Sequence, residues 1–282
     1  MTDAPDKTSI RPLEIATRTL LCPGNLSPLE GGRSENQDNY LVIEADGGFR
    51  HLEDQQEIRG MVEGWPAGHR RVAVMDGMGG HSFGRQVAEA TARGLLTLPA
   101  ASELAHLEAQ LEGLHRHLYQ EYTDKGGQPG CTLTLVEIPP SGPALLFHAG
   151  DSRLYGIGPE GAHWLTVDHV PATKFAMHLA IDREEWLRQV HHQPGSQLSQ
   201  AFVLGNTLGS VRLLATRIDP ALVALHDGNL PAFLKGLGDR RPLELQPQRV
   251  YLLASDGLWR LEDPLDFIDQ WPRLLLQPRP LE

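Results

Sequence analysis

The chain is poor in cysteine, short of basic residues and without long apolar runs, and each shortage excludes a class of protein. Its 2 cysteines, Cys22 and Cys131, stand far apart and form no CxxC pair. That argues against a disulfide framework and against a structural zinc site, and it fits a reducing cytoplasm. The 25 Lys and Arg residues are outnumbered by 36 Asp and Glu, for a net charge of −11. No basic stripe offers itself to phosphates, so a nucleic-acid partner is not expected. No apolar run approaches the roughly 20 residues that cross a bilayer. Residues 1–11, "MTDAPDKTSIR", lack the apolar core of a signal peptide and read as a flexible start. There is no internal repeat. The expectation is a soluble cytoplasmic chain, with residues 12–282 forming one domain.

What is present is a series of short apolar runs. "NYLVIEA" (39–45) and "RRVAVMD" (70–76) read as strands, separated by a polar excursion of hairpin or loop type. "GRQVAEATARGLLTL" (84–98) carries apolar residues at helical spacing. In "SELAHLEAQLEGLHRHLYQEY" (102–122), leucines 104, 107, 111, 114 and 118 recur at three and four, with Ser102 as the expected N-cap. "CTLTLVEI", "ALLFHAG", "DSRLYGI" and "HWLTV" follow as short strands joined by turns, which predicts an antiparallel meander. "DREEWLRQVHH" (182–192) and "PLDFIDQW" (264–271) read as helices, and "RVYLLAS" (249–255) as a buried strand. The order predicts an α+β layered domain rather than alternating βαβ units.

Four aspartates sit at the edges of these runs. Asp76 ends "AVMDG" and Asp256 ends "LLASDG"; Asp38 precedes "NYLVIEA" and Asp151 follows "LLFHAG". Strand ends of one sheet cluster in space, and convergent carboxylates repel unless a cation lies between them. Mg²⁺ or Mn²⁺ suits such oxygen ligands. A strand followed by Asp-Gly is also an ordinary turn, and spacing alone leaves both readings open.

Read in order, "RSENQD" (33–38), "VAVMDGMGGHSFG" (72–84), "GCTLTLVEI" (130–138), "LLFHAGDSRLYGI" (145–157), "LTVDH" (165–169), "GNTLGS" (205–210) and "VYLLASDGLW" (250–259) form a series. The series resembles the successive motifs of the metal-dependent type 2C (PPM) serine/threonine protein phosphatases in their bacterial style. The resemblance implies a four-layer α/β/β/α sandwich of two antiparallel sheets flanked by helices. It implies two Mn²⁺ or Mg²⁺ ions about 3.5–4 Å apart, bridged by a hydroxide that attacks phosphoserine or phosphothreonine. By position, Asp38 and Asp76 resemble the bridging pair, Gly77 lends its carbonyl, Asp256 holds the second metal region and Asp151 takes a third ion. Arg33 resembles the arginine that grips the phosphate, a task suited to its planar fork. The catalytic set implied is thus Arg33, Asp38 and Asp76. The partners implied are a phosphorylated protein substrate and a cognate serine/threonine kinase, with the phosphatase itself a monomer.

The chain departs from the family pattern in three places. Met78 stands where animal members have a histidine, and His81 is not assigned the acid role. No late Asp-Asn pair follows Asp256, so the final C-terminal strands are expected to be missing or the site completed differently. Asp263, Asp266 and Asp269 read as a solvated helix face. The third is the span between Asp38 and Asp76, which carries a longer acidic insert than a minimal member has; the segment 170–206 corresponds to the variable flap, and its His191 and His192 are expected at the surface. The missing pair keeps an alternative open: a pseudophosphatase or regulatory phosphoprotein-binding module with an incomplete metal site.

Overall fold

A computed structural model describes residues 13–19, 35–78, 83–124, 130–192, 198–203, 205–206, 223–261 and 263–277. The larger sheet has seven antiparallel strands. β1 (Asp38–Ile43), β2 (Gly48–Glu53), β3 (Gln56–Met61), β4 (Arg70–Asp76), β5 (Leu133–Ile138), β6 (Ala144–Ala149) and β11 (Arg240–Leu243) lie in the order β11-β6-β5-β4-β1-β2-β3. The polar excursion after β1 is therefore a hairpin, β2–β3, whose outer strand is exposed throughout. The smaller sheet has the order β12-β7-β8, from β7 (Arg153–Gly158), β8 (Gly161–Trp164) and β12 (Val250–Ala254). Two residues each of β9 (Gln200–Ala201) and β10 (Gly205–Asn206) form a separate ribbon.

Period-two alternation decides which face each strand offers to which layer. In β4, Ala73 and Met75 join the core under α1 (Gly84–Thr97) and α2 (Leu104–Asp124), while Val72 and Val74 face the other way. In β5, Leu133 and Leu135 face the helices, and Val136 meets Leu146 and Leu154 in a cluster between the sheets. In β12, Tyr251 and Leu253 point into that cluster. Val250, Leu252 and Ala254 point outward, against α5 (Pro264–Asp269) and α6 (Trp271–Leu275) through Ile268 and Trp271. The layers run helices, seven strands, three strands, helices, the four-layer arrangement implied by the motifs. The leucine ladder of α2 is the reason that helix packs: Leu107 and Leu111 are fully buried, and truncating such a leucine costs about 2–5 kcal/mol.

A buried ion pair anchors the helical layer. Arg71 in β4 and Glu137 in β5 are both fully buried and meet at 2.6 Å. Arg71 also donates to the carbonyls of Leu98 and Pro99, where α1 gives way to the α2 connection. Glu137 takes the N–H of Ala101 and the ring of His69. Its carboxyl is held below the ordinary range despite burial, because His69 and Arg71 both favour the charged form.

The structure departs from the predicted elements in three ways. The strands after 131 are no single meander: β6 ends in the large sheet at Ala149, and β7 begins in the small one at Arg153. Gly150, Asp151 and Ser152 carry the chain across. Helix α2 begins at Leu104, one residue late for a cap at Ser102, and the Leu107 N–H bonds the Glu103 carbonyl. His191, at the end of α4 (Arg183–His191), is buried rather than superficial. Its ring stacks at 4.6 Å on Trp164 and meets Trp186 edge-on, and this burial pushes its pKa well down. His192 beside it is exposed, as expected. Within the flap, α3 (Pro171–Met177) and α4 close over their own apolar cluster around Trp186. Asp263 is not on a helix face: it caps α5, accepting from the Asp266 N–H. No helix among the described residues is long and apolar enough to cross a membrane.

Candidate functional site

β1 and β4 are direct neighbours, and their antiparallel register sets Asp38 opposite Asp76. Two carboxylates thus share one end of the larger sheet. Asp76 is held through its backbone. Its N–H donates to Thr132 Oγ1 at 2.8 Å, and its carbonyl accepts from the Thr132 N–H at 2.8 Å. Thr132 in turn shares a 2.7 Å bond with Ser152 Oγ. Asp38 is held through its side chain: Ser255 Oγ donates to Oδ2 at 2.7 Å. Ser255 lies just past the end of β12, so this bond joins the two sheets at the same edge.

Gly77 has no room for a side chain. A Cβ there would lie 2.4 Å from the Gly84 carbonyl oxygen and 2.6 Å from that of Gln37. The glycine lets the end of β4, the approach to β1 and the start of α1 come together. Asp256 is buried at the start of a short 3-10 turn, with the Arg260 guanidinium 2.5 Å from its carboxylate. Asp151 is buried at the crossing between the sheets.

These four groups lie within one another's electrostatic reach. Asp76 is pushed well above the usual carboxylate range, first by burial and then by Asp38, Asp256 and Asp151. Asp151 is pushed up to about 8, first by burial and then by Asp256 and Asp168, with Arg153 and Arg260 opposing. Like charges with little water between them raise one another's proton affinity, and a cation among them reverses the effect. Two buried oxygens, Asp38 Oδ1 and Asp151 Oδ1, have no hydrogen-bond partner among the described residues. Buried carboxylate oxygens are seldom left so. Even so, no group of three or more His, Cys, Asp or Glu side chains among the described residues is arranged to hold a metal ion.

Asp38, Asp76, Asp151 and Asp256 are thus electrostatic neighbours at one edge of the sandwich, with Gly77 beside Asp76. Arg33 lies outside the described residues, as do Gly79, Gly80 and His81 of the glycine-rich stretch. Sequence reasoning assigned nothing to Ser255, Thr132, Ser152 or Arg260, which hold or face the predicted carboxylates. Ser255 and Thr132 sit inside quoted motifs. Only their bonds to residues far away in the chain, Asp38 and Asp76, distinguish them from ordinary strand-end hydroxyls.

No family model matches the chain, and no curated protein matches it in sequence. Solved structures do match its fold. The serine/threonine phosphatase of S. agalactiae aligns with a TM-score of 0.55 and 21% identity, over 88% of this chain and 83% of that one. The PPM Ser-Thr phosphatase MsPP from Mycobacterium smegmatis, solved with cacodylate, aligns with a TM-score of 0.52 and 22% identity, over 87% of this chain and 84% of that one. The chain has the fold of the PPM-type serine/threonine phosphatases.

Proposed function

We propose that the chain is a PPM-type protein phosphatase that hydrolyses phosphoserine and phosphothreonine with the help of bound Mn²⁺ or Mg²⁺. The observation that carries this reading is the pairing of Asp38 with Asp76 at the sheet end, within the mutual field of Asp151 and Asp256. The donor set fits a hard divalent cation, because every candidate ligand atom is an oxygen. Two of those oxygens are buried with no hydrogen-bond partner among the described residues. Asp38, Asp76, Asp256 and the Gly77 carbonyl would hold the two ions, and Asp151 would take a further one. When bound, the ions neutralise phosphoryl charge and make water nucleophilic near neutral pH.

The protein's share of the work is orientation. Ser255 occupies Asp38 Oδ2 and leaves Oδ1 to point elsewhere. Thr132 grips Asp76 by both backbone groups, which fixes the point on β4 from which the carboxylate projects. Arg33 receives two oxygens of the substrate phosphate in its planar fork. Positioning and charge stabilisation of this kind are most of what phosphoryl transfer needs. A phosphoprotein substrate, a partner kinase, a cytoplasmic location and a monomeric state belong to the same reading.

The test is hydrolysis of a small aryl phosphate with millimolar Mn²⁺. Turnover is expected with Mn²⁺, none in excess chelator, and none for Asp76→Asn at an unchanged fold by circular dichroism. Turnover in chelator that Asp76→Asn leaves intact overturns the proposal.

A further inference from the structure

The Asp151 carboxylate has no hydrogen-bond partner for Oδ1 among the described residues, so something other than that atom must decide where the side chain points. The candidates are its neighbours in the sheet crossing. Ser152 is tied on one side by its bond to Thr132. Gly150 is tied on the other by His169. The Gly150 N–H donates to His169 Nδ1 at 2.9 Å, and the Gly150 carbonyl accepts from the His169 N–H at 2.8 Å. Gly150 has φ +122°, and a Cβ there would lie 2.6 Å from the side chain of Thr132, so the crossing depends on glycine.

His169 is itself oriented. Its Nε2 lies 3.2 Å from Asp239 Oδ2, and both residues are almost wholly buried. Because Nδ1 accepts from Gly150, the ring proton belongs on Nε2, where the Asp239 carboxylate receives it. The same Asp239 oxygen takes the Leu225 N–H, and the Asp239 carbonyl takes the His148 N–H from β6. The His148 ring stacks on the His169 ring at 5.0 Å and stays neutral, because burial and His169 push its pKa well down. A face-to-face neighbour and a fixed tautomer leave the imidazole one orientation.

We infer that His169, held by Asp239, is a positioning residue for Asp151: it fixes the Gly150 peptide on both sides and so sets the direction in which the Asp151 carboxylate meets a divalent cation. This inference rests on the phosphatase reading above, since it takes Asp151 as a metal ligand. Removing a group bonded to a ligand lowers metal affinity about 10–100-fold, and His169, which holds the residue beside the ligand, is expected at the lower end of that range.

Two substitutions separate positioning from packing. Asn places an oxygen where Nδ1 stood and keeps an acceptor for the Gly150 N–H, whereas Leu keeps bulk and removes the acceptor. In ¹⁵N-labelled, metal-free protein, His169→Leu is expected to raise hydrogen exchange at the Gly150 amide at least tenfold, and His169→Asn to leave it within about threefold. In Mn²⁺ titrations followed by electron paramagnetic resonance, the component that Asp151→Asn abolishes weakens at least tenfold in His169→Leu and is retained in His169→Asn. If His169→Leu fails to fold, Asp239→Asn is read in its place, with a smaller change in the same direction in both measurements. An Asp151-dependent component that these variants leave untouched overturns the inference and leaves the phosphatase reading standing. Equal losses in the Leu and Asn variants also overturn it, because bulk and not the acceptor is then what matters. A wild-type protein that binds Mn²⁺ with no Asp151-dependent component overturns it as well, and one that binds no Mn²⁺ at all overturns the phosphatase reading with it.

Discussion

Asp151 is expected to make the metal-free protein less stable as the pH rises, by an amount that follows from its surroundings. Its pKa goes from 3.8 as an ordinary side chain to about 8 in the fold. Between those values the folded state binds a proton that the unfolded state has released, so stability falls with rising pH. At pH 6 the folded carboxyl is still neutral, and at pH 9 it is ionised against Asp256 and Asp168. One pKa unit corresponds to about 1.4 kcal/mol, and the linkage between pH 6 and pH 9 comes to about 2–3 kcal/mol. For a chain of this size that is roughly a 5–10 °C fall in Tm. The assay is a calorimetric melt in excess chelator at several pH values across that window, for wild type and Asp151→Asn. The wild type is expected to lose several degrees more than the variant. Millimolar Mg²⁺ should lift the wild type most at pH 9, because a cation that binds only the folded state favours the ionised site. Parallel lines for the two proteins in chelator would refute the claim that burial, with Asp256 and Asp168 beside it, keeps Asp151 protonated in the fold.

Other consequences can be read from single contacts. Glu137→Leu leaves the Arg71 guanidinium buried without its carboxylate and is expected to cost about 3–5 kcal/mol in urea unfolding; a loss under 1 kcal/mol shows the pair to be replaceable. Ser255→Ala removes the hydroxyl that holds Asp38 Oδ2, so calorimetric titration should show Mn²⁺ affinity about tenfold weaker with Tm nearly unchanged, and unaltered affinity counts against Ser255 orienting Asp38. Gly77→Ala drives a methyl into the Gly84 and Gln37 carbonyls, and soluble protein with a native melting profile argues against that crowding.

The parts of this molecule that were legible in its sequence are those with local causes. Strand β4 appears as "RRVAVMD" at the boundaries observed, because alternation and the following Asp-Gly are both written in adjacent residues. Helix α2 follows from its leucine spacing. The Asp38–Asp76 pairing needed only the inference that strand ends cluster, and the register places the two directly opposite. The crossing at Gly150–Ser152 was not legible. β6 and β7 are both short, apolar and separated by three residues, which is also how a hairpin looks. What selects the crossing is remote: Thr132 leaves no room for a side chain at position 150, and His169 claims both backbone polar groups of that residue. His191 was misplaced for a related reason. A histidine pair on a polar helix reads as surface, and only the folded flap shows Trp164 and Trp186 enclosing the first of them.

The crossing also explains why the four carboxylates come within reach of one another although they start from two sheets. A hairpin between β6 and β7 would keep Asp151 on the larger sheet with its turn in solvent. The crossing instead carries the chain from the sheet that holds Asp38 and Asp76 to the sheet whose edge strand leads to Asp256. Asp151 is thereby buried between them and raises the proton affinity of Asp76 while Asp256 raises its own. The Thr132–Ser152 bond and the Ser255–Asp38 bond each join the sheets at this edge. Sheet packing and carboxylate geometry are therefore set by the same few contacts. A substitution that lets the sheets slide would change the spacing of the aspartates before it unfolded the domain.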